Sequence, residues 1–149
     1  MLHFLLHFLF HSNFIFKHVL SLCYEKTSFS VIIDLMKINE VVDTISGKIL
    51  CGENHTNMNV EFGFASDMMS DVLTLLEDDI LLITGLANAQ AIRTAVMSDV
   101  KNIVIARGKV VTDDMIELAN DSDISIIASP FSLYKISGLL YNQGLKAIY

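Results

Sequence analysis

Arg107-Gly108-Lys109 sets two cations on either side of a glycine, in a chain with only 10 lysines and arginines. Such a pair suits a phosphate or another small anion, which Arg and Lys hold through charge-assisted hydrogen bonds. Ser66, Thr84, Gly85, Asn88 and Ser132 follow the ends of apolar runs. Serine, threonine and asparagine in such places cap helices, and helix N-termini present unpaired N–H groups that also favour anions. Together Ser66, Thr84, Gly85, Asn88, Arg107, Gly108, Lys109 and Ser132 describe an anion-binding edge. Each also has a plainer duty open to it. The glycines can supply positive φ at strand exits, the hydroxyls and Asn88 can act only as caps, and Arg107 and Lys109 can be solvated charges.

No catalytic set accompanies these residues. Gly47-Lys48 and Gly108-Lys109 are followed by Ile49 and Val110, so the hydroxyl that a phosphate-binding loop gives to magnesium is missing. Neither G-x-G-x-x-G nor G-x-S-x-G occurs. After Met36 the sole histidine is His55, in a polar stretch without a nucleophile beside it. Asp78-Asp79 and Asp113-Asp114 fit helix ends. Cys23 and Cys51 form no C-x-x-C and read as reduced thiols of a cytoplasmic protein. The reading is therefore a non-enzyme with no cofactor and no metal. His3, His7 and His11 share a helical spacing that can present imidazoles to a metal, but no carboxylate lies between them.

These residues need a scaffold, and the chain of 149 residues is long enough to be one without disulfides or metal. The formal charge of −7 and the lack of any basic run exclude a nucleic-acid surface. Hydrophobic residues make up 52% of the chain, and many fall in the first two dozen positions. That stretch lacks the flanks and cleavage site of a secretory signal. His3, His7, His11, Asn13, Lys17 and His18 interrupt it as a membrane span. Residues 1–35 thus read as an extension outside the domain. An overextended start with Met36 as initiator fits the abrupt change to a balanced composition; a membrane anchor and a packed helix are the alternatives.

From Met36 the punctuation alternates. Ile38, Val41, Val42 and Ile45 have helical spacing and Gly47 stops them. Lys48–Cys51 and Val60–Ala65 read as strands, with a polar turn over Glu53–Asn57 between them. Ser66 as N-cap and Asp67 as first-turn acid open a helix with Met68, Met69, Val72, Leu75 and Leu76 inward. Ile80–Thr84, Asn102–Ala106 and Ile124–Ala128 are unbroken apolar runs of strand length. Helices capped by Asn88, Thr112 and Ser132 follow them. Apolar strands separated by helices predict an α/β domain over residues 36–149, a mainly parallel sheet with helices on both faces. The loops after its strands should converge at the carboxyl ends, where open sheets bind ligands.

The succession Phe62-Gly63-Phe64-Ala65-Ser66-Asp67-Met68-Met69-Ser70-Asp71, Leu82-Ile83-Thr84-Gly85, Ile103-Val104-Ile105-Ala106-Arg107-Gly108-Lys109 and Ser129-Pro130-Phe131-Ser132 resembles the DRTGG domain family. The resemblance runs from Met36 to about Lys146 and is greatest to stand-alone members. It implies a fold like the N-terminal domain of HPr kinase/phosphorylase, a regulatory rather than catalytic role, a homodimer, and a small anionic ligand such as a nucleotide. The literal string is absent: Gly85-Leu86-Ala87-Asn88-Ala89-Gln90 stands where many relatives have Gly-Asp-Arg, and Ala106-Arg107-Gly108 where they have Thr-Gly-Gly. A non-catalytic interaction subunit or adaptor of a metabolic or redox complex is the other reading. No membrane partner is expected.

Overall fold

A computed structural model describes residues 35–149. The readings placed on the extension before them, including His3, His7, His11 and Cys23, lie outside the described residues. Short β1 (Met36–Lys37) leads into α1 (Ile38–Thr44), then β2 (Lys48–Cys51), a 3₁₀ turn (Glu53–Asn57), β3 (Asn59–Val60) and β4 (Phe62–Ala65). There follow α2 (Met69–Val72), β5 (Ile80–Thr84), α3 (Ala89–Met97), β6 (Asn102–Ile105), α4 (Asp113–Asp121), β7 (Ser125–Ala128), α5 (Leu133–Asn142) and β8 (Lys146–Ala147).

Six strands form the main sheet in the order β2-β7-β6-β5-β4-β8, parallel except for β2, which runs antiparallel to β7. The unbroken apolar runs become the central strands because both faces are covered. Ile80, Leu82, Ile103, Ile105 and Ile126 point into a core closed by α2, α3 and α4. Leu81, Ile83, Val104 and Ile127 point the other way, under α1 and α5. Each such side chain contributes about 1.5–3 kcal/mol when fully buried. The crossovers β4-β5, β5-β6 and β6-β7 step in one direction, so connections of one hand place their helices on one face. The chain then leaves β7 on the opposite face and returns through α5 to β8, beside β4.

Two expectations about local structure are corrected. Val60–Ala65 is not one strand: Val60 pairs with Met36 in a separate two-stranded ladder, and β4 begins at Phe62. The break falls at Glu61, whose amide donates to the Asp79 carbonyl at 2.9 Å. The helix after Ser66 is only four residues long and starts at Met69, not beside Ser66. Ser66 Oγ accepts from the Met68 amide at 2.9 Å, a local turn that delays the helix. Thr74 Oγ1 then donates to the Asp71 carbonyl at 2.7 Å as the helix ends. Its inward register is therefore lost at both ends, and Met68 and Leu76 are 61% and 93% exposed.

Ser129 ties the exit of β7 to α1. Its buried hydroxyl donates to the Ile45 carbonyl at 2.8 Å, at the C-terminus of α1, and accepts from the Phe131 amide at 3.3 Å. Ser129→Ala orphans that carbonyl and should cost about 1–2 kcal/mol in urea unfolding. A change below about 0.3 kcal/mol would show the bond to be dispensable.

Candidate functional site at the carboxyl edge of the sheet

The loops that leave β4, β5, β6 and β7 are tied side by side into one rim. The Ser66 amide donates to Ile83, that of Ala106 to Thr84, that of Arg107 to Phe131 at 2.7 Å, and that of Gly108 to Ser129 at 2.9 Å. The connection out of β6 runs to one face and that out of β7 to the other. This is where an open sheet forms its binding crevice. Arg107-Gly108-Lys109 and Ser129–Ser132 border it.

At the centre of the rim stands Asp67. Its Oδ1 accepts from Thr84 Oγ1 at 3.0 Å and from the Gly85 amide at 2.6 Å. Its Oδ2 accepts from Arg107 Nη2 at 2.7 Å. Thr84 is fully buried, and its hydroxyl also accepts from the Leu86 amide at 3.2 Å. The side chains of Arg107 and Asp67 are 46% and 41% exposed, so their ion pair fixes geometry more than it adds stability. Burial raises the Asp67 carboxyl, but the Gly85 amide, the Thr84 hydroxyl and the Arg107 charge outweigh it and hold it below the ordinary value. A depressed carboxylate contributes stability above its unfolded pKa of about 3.9 and loses it as pH falls through the folded value. Wild type should therefore lose stability below about pH 4 more steeply than Asp67→Asn. Parallel acid-melting curves for the two proteins would contradict this.

Gly85 serves by lacking a side chain. A Cβ there would lie 1.6 Å from Arg107 Nη2, so the guanidinium occupies the space a side chain would fill. Positive φ, the plainer duty open to both glycines, applies only to Gly108, at 59°. Arg107 itself has φ 67°. Among the described residues the other non-glycine positions with positive φ are Ser46 and three aspartates, and aspartate tolerates that region better than arginine does. Two backbone hydrogen bonds over-determine this turn, and the strain of about 1–2 kcal/mol aims the Arg107 side chain across the rim at Asp67. Its remaining donors, and the exposed Lys109 ammonium, have no partner among the described residues.

The other predicted residues are placed at the rim but are occupied. Asn88 Oδ1 accepts from the Ala91 amide at 2.9 Å and Ser132 Oγ from the Lys135 amide at 3.3 Å, so both cap helices. Since α3 and α5 lie on opposite faces, Asn88 and Ser132 flank the rim from opposite sides. Thr112 holds the N-cap position of α4 without a side-chain bond. The reading of single residues missed Lys135, whose ammonium lies 3.3 Å from the centre of the Phe131 ring, as well as the role of Asp67. A first-turn acid after a serine reads as helix punctuation, and the pairing to Arg107 spans 40 positions.

No group of metal-ligating side chains occurs among the described residues, and none of their helices is long and apolar enough to cross a membrane. Cys51 is buried, and burial raises its thiol above the ordinary value, which favours the protonated form.

Fold and rim define an α/β domain with a polar edge where the loops after its parallel strands meet. The chain belongs to the DRTGG domain family, whose model matches residues 40–142. It is similar in structure to the CBS and DRTGG domains of the regulatory region of Clostridium perfringens pyrophosphatase, solved with its activator diadenosine tetraphosphate. The TM-score is 0.60 at 19% identity, over 73% of this chain and 47% of that one. The chain thus spans about half the length of that structure. No curated protein matches.

Proposed function

We propose that residues 36–149 form a regulatory domain that binds a small anionic molecule, with nucleotides the first class to test. The observation that carries the reading is Arg107. A strained backbone and the Asp67 carboxylate hold its guanidinium over Gly85, with unused donors beside Lys109. The proposed contacts are Arg107, Lys109 and the backbone of Gly85 and Gly108. Ser66, Thr84, Asn88 and Ser132 shape the loops and helix ends around them. The nucleotide activator of the pyrophosphatase regulatory region supports this class of ligand. A homodimer and a cytoplasmic setting belong to the same reading, the first testable by light scattering.

Thermal-shift titration with nucleotides and sugar phosphates tests the proposal. A ligand at 100 times its Kd contributes about 2.7 kcal/mol, several degrees of melting temperature for a domain of this size. At least one phosphate compound should do this, and Arg107→Ala should cut the shift by about half or more. No shift with any of them, or an unchanged shift in Arg107→Ala, would overturn the site.

A further inference from the structure

The opposite end of the sheet is acidic. The crossovers enter β5, β6 and β7 through Asp79, Asp99 and Asp123, each with φ 53°. Asparagine or glycine would hold the same left-handed turn without a charge. Asp99 and Asp123 stand just past the carbonyl ends of α3 and α4, where the helix dipole disfavours a carboxylate. Between β5 and β6 this end opens into a groove of about 570 Å³. Glu77, Asp78, Asp79 and Asp99 line it, and the single cation of its lining, Lys101, is already paired with Asp99 at 2.9 Å. Among the described residues no cation pairs with Glu77, Asp78 or Asp79.

The same groove has apolar walls that face water. Leu76 is 93% and Met97 75% exposed, with Met58 beside them. Asn102 also stands in its lining, 2% exposed, and its side-chain oxygen has no hydrogen-bond partner. A buried acceptor left unpaired is destabilising, and an N–H donor reaching it would relieve that. Apolar walls, an acidic rim and an orphaned acceptor are complementary to one kind of occupant. We propose that this groove docks a basic amphipathic segment of a partner protein, its apolar side chains between Leu76 and Met97 and its Lys or Arg side chains on Asp78 and Asp79. A second copy of this chain fits poorly, because isologous pairing would set the acidic rims against each other.

The test is fluorescence anisotropy with the full chain and a labelled peptide of about 15 residues, with leucines at helical spacing and flanking lysines. Saturable binding is expected that weakens with salt. Asp78→Asn/Asp79→Asn, which keeps the left-handed backbone, should weaken it about fivefold or more. Arg107→Ala should bind the peptide like wild type, which separates this surface from the anion rim. Equal binding of a glutamate-flanked peptide, or of one with serine in place of leucine, would overturn the proposal, as would an unchanged Asp78/Asp79 double variant. Two further results would reassign the groove. One is carbodiimide cross-linking of Lys17 or Lys26 to Asp78 or Asp79 within one chain; the other is a dimer that dissociates on Met97→Asp.

Discussion

Gly52→Ala is expected to destabilise the domain by about 3 kcal/mol or more, a large share of the roughly 5–15 kcal/mol that holds such a fold together. Gly52 has φ 76°, a conformation that costs an alanine about 1–2 kcal/mol. The added Cβ would also lie 2.6 Å from Ser125 Cα, a backbone atom that cannot swing aside. Relief would require β2 to pull away from β7, breaking the pairing of Cys51 with Ile126 next to it. The same shift would disturb the 3₁₀ turn whose His55 Nε2 donates to Asp123 Oδ1 at 3.1 Å. Urea unfolding measures the loss directly. Stability within 0.5 kcal/mol of wild type would mean that the contact between Gly52 and Ser125 is not as close as described.

Gly85→Ala makes the opposite prediction, with little loss of stability and a large loss of binding. The three atoms nearest its Cβ all belong to the guanidinium of Arg107, with Nη2 at 1.6 Å and Cζ at 2.3 Å. That group is the free end of a flexible side chain and can leave. Because the ion pair is exposed, its loss costs about 1 kcal/mol or less. The proposed anion site, however, loses its oriented cation, and a hydrogen bond to a charged group is worth about 1.5–3 kcal/mol. Affinity for the best phosphate ligand should fall about tenfold or more by calorimetry. Adding Arg107→Ala should then cost almost nothing further, since both changes remove one interaction. A Gly85→Ala protein that binds like wild type would place the ligand elsewhere.

The three central strands were legible because each is an apolar run too short for a helix and covered on both faces. Asn88 and Ser132 were legible for a related reason, since a cap acts on residues three positions away in sequence. What escaped depends on local side-chain bonds that leave the apolar spacing unchanged, or on distant partners. The short α2 is set by side-chain bonds of Ser66 and Thr74 to nearby backbone, which compete with helical bonding but leave the apolar spacing intact. The break at Glu61 depends on the carbonyl of Asp79, and the role of Asp67 depends on Gly85 and Arg107. Periodicity reports which face of an element is buried, not which loop meets which. The rim was foreseen as a place because parallel strands bring their exits together. Its wiring through one carboxylate was not.

Amide chemical-shift mapping with the strongest nucleotide or sugar-phosphate ligand tests the central claim most directly. The largest shifts should fall on Asp67, Gly85, Leu86, Arg107, Gly108 and Lys109, and they should shrink in Arg107→Ala while that protein keeps the wild-type spectrum elsewhere. Shifts confined to the acidic end around Asp78, Asp79 and Asp99, or spread evenly over the surface, would contradict it.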